Sequence, residues 1–261
     1  MKEKRKFWFD FDYPYDYRSV DDEKKLEKEL ERRRNMIVQP SSKNDVSVPG
    51  PSKTYTRGSN FWLNSRQNKT GFLDTLNKSD TLVIHCYDRT TTMLSQIYEG
   101  KGWDVVNDGC IADEELRELI RTHDRIVMLG HGTPGGLINI QAGGSIINSS
   151  HAELLRDKKL FVIWCRADEF FRRNNIGKGQ FITGNIPSEV WECRAAGCGD
   201  ISAELMLENI TYWSSLCADV VETALNGNPQ AAVDYVREHY LERYGDHPVT
   251  HYNAERTQVL N

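Results

Sequence analysis

The chain has 261 residues, 39% of them hydrophobic and 27% charged, with 8 prolines, which suits one α/β domain with extensions or two small domains. A formal net charge of −5 argues against a nucleic-acid partner for the chain as a whole, because phosphate binding is driven by Lys and Arg. No apolar run approaches the roughly 20 residues that span a bilayer, so no membrane partner is expected.

The opening MKEKRKFWFDFDY carries the positive start of a signal peptide, but acids and tyrosines interrupt the stretch that should be apolar. A cytoplasmic location is therefore expected. Residues 1–70 read as an N-terminal extension. Its aromatic, acidic stretch FWFDFDYPYDY precedes a mixed-charge run, Asp21–Arg34, with opposite charges at i,i+3 and i,i+4, which predicts a short solvated helix. A Pro-, Ser- and Gly-rich segment, QPSSKNDVSVPGPSKTYTRGS, follows and reads as a linker.

Residues 71–261 alternate between strand and helix patterns. TLVIHCY (81–87) is an apolar, β-branched run of strand length. Thr90 to Tyr98 reads as a helix capped by threonine and stopped by glycine, and WDVV (103–106) as a second strand. Asp113 is expected to cap a helix whose Leu116, Leu119 and Ile120 share one face. RIVML (125–129) is a third strand, running into GHGTPGG. LINIQ and SII flank Ala142-Gly143-Gly144 as a hairpin. His151 to Arg156 reads as a short helix, KLFVIWC (159–165) as a fourth buried strand and QFITGN (180–185) as a fifth. After Asp200 a helical spacing links Ile201, Leu205, Trp213, Cys217, Val220 and Ala224. Asn228-Pro229 opens a last helix that Gly245 ends, and His247 and His251 read as exposed loop residues. The alternation predicts a mostly parallel sheet with helices on both faces.

Six cysteines, three of them (Cys86, Cys165, Cys217) inside apolar segments, do not form a disulfide framework pattern, and reduced thiols are expected. CRAAGC (193–198) has no matching second pair, so no metal is expected. GHGTPGG lacks both GxxxxGK[ST] and GxGxxG, which disfavours a nucleotide-binding doubly wound domain.

Functional residues of an open α/β sheet gather beyond the carboxyl ends of its strands. Two ends stand out: His131-Gly132 after the third strand, and Cys165 at the tip of the fourth. If the strands are neighbours, a thiolate at Cys165 can attack a carbonyl carbon while His131 moves the proton to the leaving amine. The N–H groups of Gly132 and Cys165 are the expected oxyanion donors. No third orienting residue is evident.

RIVMLGHG followed after 34 residues by KLFVIWC resembles the caspase-like peptidases, among them caspases, metacaspases, legumain, gingipains, clostripain and separase. Those share an apolar strand ending in His-Gly and a second apolar strand ending in Cys. The resemblance covers about residues 80–190. It implies a caspase-like three-layer fold, a cysteine endopeptidase acting on a protein or peptide substrate, and no required cofactor, although some relatives need calcium or proteolytic activation. Arg166-Ala167-Asp168-Glu169 after the cysteine departs from the small residues of several relatives. The family's selecting charges lie near the end of the first strand, here Asp88 and Arg89. An inward Asp88 or Asp168 implies a basic residue before the scissile bond, the slightly favoured reading, and an inward Arg89 an acidic one. The rival reading is a catalytically inactive scaffold whose N-terminal aromatics meet a partner; an activating partner through that extension is the related expectation. Arg57 and Lys69 are candidate self-cleavage points, with ordinary surface basics the plainer reading.

Overall fold

The apolar run that begins at Thr81 is flanked on both sides by others of its kind, and each hydrogen-bonds its neighbour in parallel. The computed structural model describes residues 79–261 apart from residue 87, residues 108–110 and residues 141–142. The expected helix at Asp21–Arg34, the aromatic stretch, the linker and the cleavage candidates Arg57 and Lys69 lie outside the described residues.

The strands are β1 (Thr81–His85), β2 (Asp104–Val106), β3 (Arg125–Leu129), β4 (Gly132–Thr133), β5 (Gly136–Asn139), β6 (Gly144–Ile147), β7 (Lys159–Ile163), β8 (Phe181–Thr183) and β9 (Thr257–Val259). The α-helices are α1 (Asp113–Thr122), α2 (Ala152–Leu155), α3 (Ala167–Arg173), α4 (Val190–Ala195), α5 (Ala203–Leu225), α6 (Pro229–Tyr244) and α7 (Pro248–Arg256). Two 3-10 helices, Thr92–Ile97 and Ser149–His151, complete the described elements. The main sheet runs β2-β1-β3-β7-β8-β9, parallel throughout except for β9, which lies antiparallel to β8. A small antiparallel sheet, β4-β5-β6, leaves the carboxyl end of β3.

The β period of two divides the core. Val83, Val127, Leu129, Phe161 and Ile163 face one layer, with the 3-10 helix at Thr92, α5, α6 and α7. Leu82, Ile84, Ile126, Met128, Leu160, Val162 and Trp164 face the other, with α1, α2 and α3. Strands buried on both sides explain why these runs are continuously apolar instead of alternating. The α/β architecture with a mostly parallel sheet between helices is thus present.

Several local expectations are corrected. The segment after β1 is a 3-10 helix, not an α-helix, and Thr91 at its start makes no side-chain cap, because Asp88 takes the turn's hydrogen bonds. Asp113 is the first residue of α1, not its cap, and bonds Arg117 at 2.6 Å. Helix α5 starts at Ala203 with Ser202 as its cap, accepting from the Leu205 N–H at 3.1 Å, and Asp200 pairs with Arg194. His247 and His251 are not loop residues: Pro248 sits in the first turn of α7, His247 caps it and His251 lies within it. Helices α3 and α4 and strand β9 escaped the sequence reading. In CRAAGC the Cys198 N–H bonds the Cys193 carbonyl at 2.8 Å and the Gly197 N–H that of Arg194 at 3.0 Å. That is a Schellman stop for α4, with Gly197 at φ 75° and both cysteines buried, so a helix terminus accounts for the spacing.

Strand β7 passes into α3 through Arg166, which is left-handed at φ 66°, ψ 29°. An L-residue there is strained by about 1–2 kcal/mol. Its guanidinium meets Glu169 at 2.7 and 3.0 Å on the surface, which offsets little. Arg166→Gly and Arg166→Ala both delete that pair but differ in tolerance of positive φ. In urea unfolding, Arg166→Gly is expected to be the more stable by about 1 kcal/mol; the opposite order would show an unstrained turn.

Candidate active site

Parallel pairing aligns Leu129 with Ile163, and the Gly130 N–H continues the ladder to the Ile163 carbonyl at 3.0 Å. His131 and Cys165 each stand two residues beyond that pair. They therefore follow neighbouring strands, about 4.8 Å apart, whose ends lie at the same level of the sheet. The sheet order reverses between β1 and β3, the switch point where a crevice opens at the carboxyl ends. Asp88, three residues past β1, and His131, two past β3, flank that crevice.

The Asp88 carboxylate lies 2.9 Å from His131 Nε2. Its other oxygen accepts from the Thr90 N–H at 2.7 Å, the Thr90 hydroxyl at 2.8 Å and the Thr91 N–H at 3.1 Å. Thr90 Oγ1 is also 2.7 Å from His131 Nε2. Burial works against the Asp88 charge but is outweighed by the hydrogen bond and charge of His131 and by Thr90, which hold the carboxyl down at about 2. Burial also opposes a charged His131, and it too is outweighed: Asp88, then Glu192 and Glu189, raise its proton affinity above the ordinary value. Beneath, fully buried His85 contacts Tyr98 Oη at 3.1 Å and Thr91 Oγ1 at 3.3 Å. Burial drives its titration down to about 4, leaving a neutral ring under the turn.

The Cys165 thiol donates to the Ile186 carbonyl at 3.6 Å, and no hydrogen bond joins it to His131. Burial foremost, then the charge of Glu192, pushes that thiol up to about 12. Glu192 itself accepts from the Ser188 N–H at 2.7 Å, the Ser188 hydroxyl at 3.0 Å and the Glu189 N–H at 3.1 Å, which shapes the entry to α4. The turn carrying Ile186 is pinned from behind, where Asn253 Nδ2 donates to the Pro187 carbonyl at 3.2 Å.

Gly132 pairs with Leu137, while the Ile138 N–H bonds the His131 carbonyl at 2.8 Å. This marks Gly132–Leu137 as a non-hydrogen-bonded pair, so the Gly132 N–H points out of the ladder. The N–H groups of Trp164 and Arg166 turn toward β8, bonding Thr183 Oγ1 at 3.2 Å and the Gly184 carbonyl at 3.1 Å. By strand alternation the intervening Cys165 N–H turns toward β3. The Gly132 N–H thus leaves its ladder on the side away from β5, and the Cys165 N–H lies on the β3 side of its strand. Glycine at 132 has a second cause: a Cβ there would sit 2.0 Å from Trp164 Cδ1, so only glycine admits the indole.

The three residues expected to bind substrate fare differently. Asp88 is turned onto His131, as described. Asp168 pairs with Arg172 at 2.5 Å and accepts from Gln258 at 3.3 Å on α3. Arg89 is exposed. The carboxylates that act on His131 besides Asp88 are Glu189 and Glu192, beside an exposed Trp191. Sequence reasoning missed all three, together with the orienting contact of Asp88. The signal for Asp88 was its place just beyond β1, beside the strand that delivers His131. Cys86, Cys193, Cys198 and Cys217 are buried, and among the described residues no group of His, Cys, Asp and Glu could hold a metal ion. No described helix is long and apolar enough to cross a membrane. Comparison with protein-family models, with curated proteins and with solved structures returns no match.

Proposed function

We propose that the chain is a cytoplasmic cysteine endopeptidase of caspase-like type, acting through Cys165 and His131 on protein or peptide substrates. The observation that carries this reading is the delivery of the two residues to the same level of adjacent parallel strands, at the sheet's functional end. In the reaction the Cys165 proton passes to His131 and the sulfur bonds the scissile carbonyl carbon. The oxyanion takes the N–H groups of Gly132 and Cys165. The C–N bond then breaks as His131 returns the proton to the amine, and water releases the acyl group. No cofactor enters these steps.

With the thiol near 12 and His131 raised, the resting pair is a neutral thiol beside an imidazole that is charged at low pH. Thiolate forms only as the sulfur leaves Ile186 for His131. The excess of carboxylates around His131, Asp88 with Glu192 and Glu189, supports a basic residue before the scissile bond. Asp168, with Arg172 and Gln258 already bound, is the weaker candidate for that role. A second reading, a catalytically inactive scaffold, is favoured by the same parked thiol.

Peptidyl chloromethyl ketones ending in Arg, Lys, Asp or Leu, with the modified residue mapped by mass, separate these readings. The Arg and Lys reagents should alkylate Cys165 at least tenfold faster than the Asp reagent, and His131→Ala should abolish the advantage. Plain iodoacetamide should label native Cys165 slowly at neutral pH, because a thiol near 12 presents little thiolate. Labelling by the Asp reagent alone would reverse the specificity, and equal slow labelling by all would point to the scaffold.

A further inference from the structure

The hydrogen bonds around His131 decide which of its nitrogens carries the proton. An ionised Asp88 only accepts. The single hydroxyl hydrogen of Thr90 goes to Asp88 Oδ1 at 2.8 Å, so Thr90 Oγ1 meets His131 Nε2 at 2.7 Å as an acceptor. Asp88 Oδ2, at 2.9 Å from the same nitrogen, is an acceptor as well. Nε2 therefore bears the hydrogen, and in the neutral ring Nδ1 holds the lone pair. Among the described hydrogen bonds His131 uses Nε2 alone on its ring. The turn itself is braced by its backbone: the Thr90 and Thr91 N–H groups end on Asp88 Oδ1, and the Thr92 hydroxyl bonds the Asp88 carbonyl at 3.1 Å.

We propose that Asp88 and Thr90 are positioning residues of this site: their turn locks the His131 proton on Nε2 and leaves Nδ1 as the base that takes the Cys165 proton. The pair of residues legible in the sequence thereby becomes a three-part relay, sulfur to Nδ1, with Nε2–H held by carboxylate and hydroxyl. The kinetic consequence rests on the peptidase reading; the tautomer does not. The groups that face His131 are Asp88 from the turn after β1, His85 from the end of β1 and Glu189 and Glu192 from the entry to α4, with Cys165 beside it on the adjoining strand. His85 is neutral near pH 7, and both glutamates favour a charged His131. Asp88 is thus the one of these groups that also touches the ring. Its removal lets burial dominate and lowers the pH at which His131 loses its proton.

The test is imidazole 15N NMR of the full chain labelled at histidine, with the His131 signals assigned by their loss in His131→Ala. Neutral His131 should be the Nε2–H tautomer. Asp88→Asn keeps the Oδ1 that accepts from the Thr90 and Thr91 N–H groups, so the turn is retained. It should give mixed tautomers and a lower titration midpoint. Thr90→Val should weaken the tautomer preference and Thr90→Ser should restore it. An Nδ1–H tautomer in the parent chain, or an unmoved midpoint in Asp88→Asn, would overturn the proposal. The pH dependence of Cys165 alkylation by the Arg-ended ketone supplies the second arm. The rate should rise with pH as His131 becomes a free base. In Asp88→Asn that rise should move to lower pH while the plateau drops about 100-fold, a combination that mere loss of structure does not produce. Absence of ketone labelling in the parent chain would sink the peptidase reading, and the NMR arm would still decide the tautomer.

Discussion

Everything at the carboxyl end of the sheet depends on one register, the parallel pairing of β3 with β7. Arg125 faces Lys159 at its start and Leu129 faces Ile163 at its end, with no bulge between. Because side chains alternate with a period of two, a slip of one residue would send either His131 or Cys165 to the opposite face. The register is held by burial on both sides. Val127 and Phe161 pack toward the long helices, and Met128 and Val162 toward α1 and α3. Phe161 also stacks on Phe181 of β8, with ring centroids 4.2 Å apart, so the next strand is clamped to the same frame. Each fully buried apolar side chain of this size is worth about 1.5–3 kcal/mol, and together they outweigh any single hydrogen bond at the site.

That frame explains what was legible in the sequence. A parallel strand buried on both faces is a continuous apolar run, and its carboxyl end is where the run stops. RIVML and KLFVI therefore announced both the strands and the positions of His131 and Cys165. The Asn228-Pro229 start of α6 was equally readable, since Asn228 caps through the Ala231 N–H and proline needs no hydrogen-bond partner there. The partnership of Asp88 with His131 was not readable in the same way. It joins residues across the β1–β3 boundary, and nothing in the local sequence distinguishes a carboxylate that lines a pocket from one that turns onto a neighbouring imidazole. His247-Pro248 carried the same proline signal as α6. It was outweighed by a polar, loop-like composition, although Val249, Asn253 and Ala254 are buried.

The helical layer contributes to the site by holding the strand-end loops still. Asn209, Tyr240, Thr250 and Asn253 form a buried polar network across α5, α6 and α7: Tyr240 Oη donates to Asn209, and Asn209 Nδ2 donates to Thr250 at 2.8 Å. Asn253 extends it to the Pro187 carbonyl, next to the residue that receives the Cys165 thiol. Hydrogen bonds among buried side chains restrain what they touch. Three helices thus converge on the turn that carries the Ile186 carbonyl.

The two halves of the site are built to opposite electrostatic ends. Around His131, three carboxylates favour the charged ring, and Asp88 with the Thr90 hydroxyl holds it in place. Around Cys165, burial and the same Glu192 disfavour charge, and the sulfur rests on a neutral carbonyl. Glu192 therefore pushes the pair away from a pre-formed ion pair at the sulfur while increasing the proton affinity of the base. A cationic group entering beside Glu189 and Glu192 would cancel that field at both residues together, easing ionisation of the thiol when a basic side chain occupies the crevice. Under the proposed reading, selectivity for charge and release of the thiol would be one electrostatic event beside Glu192, and the left-handed turn at Arg166 directly follows Cys165.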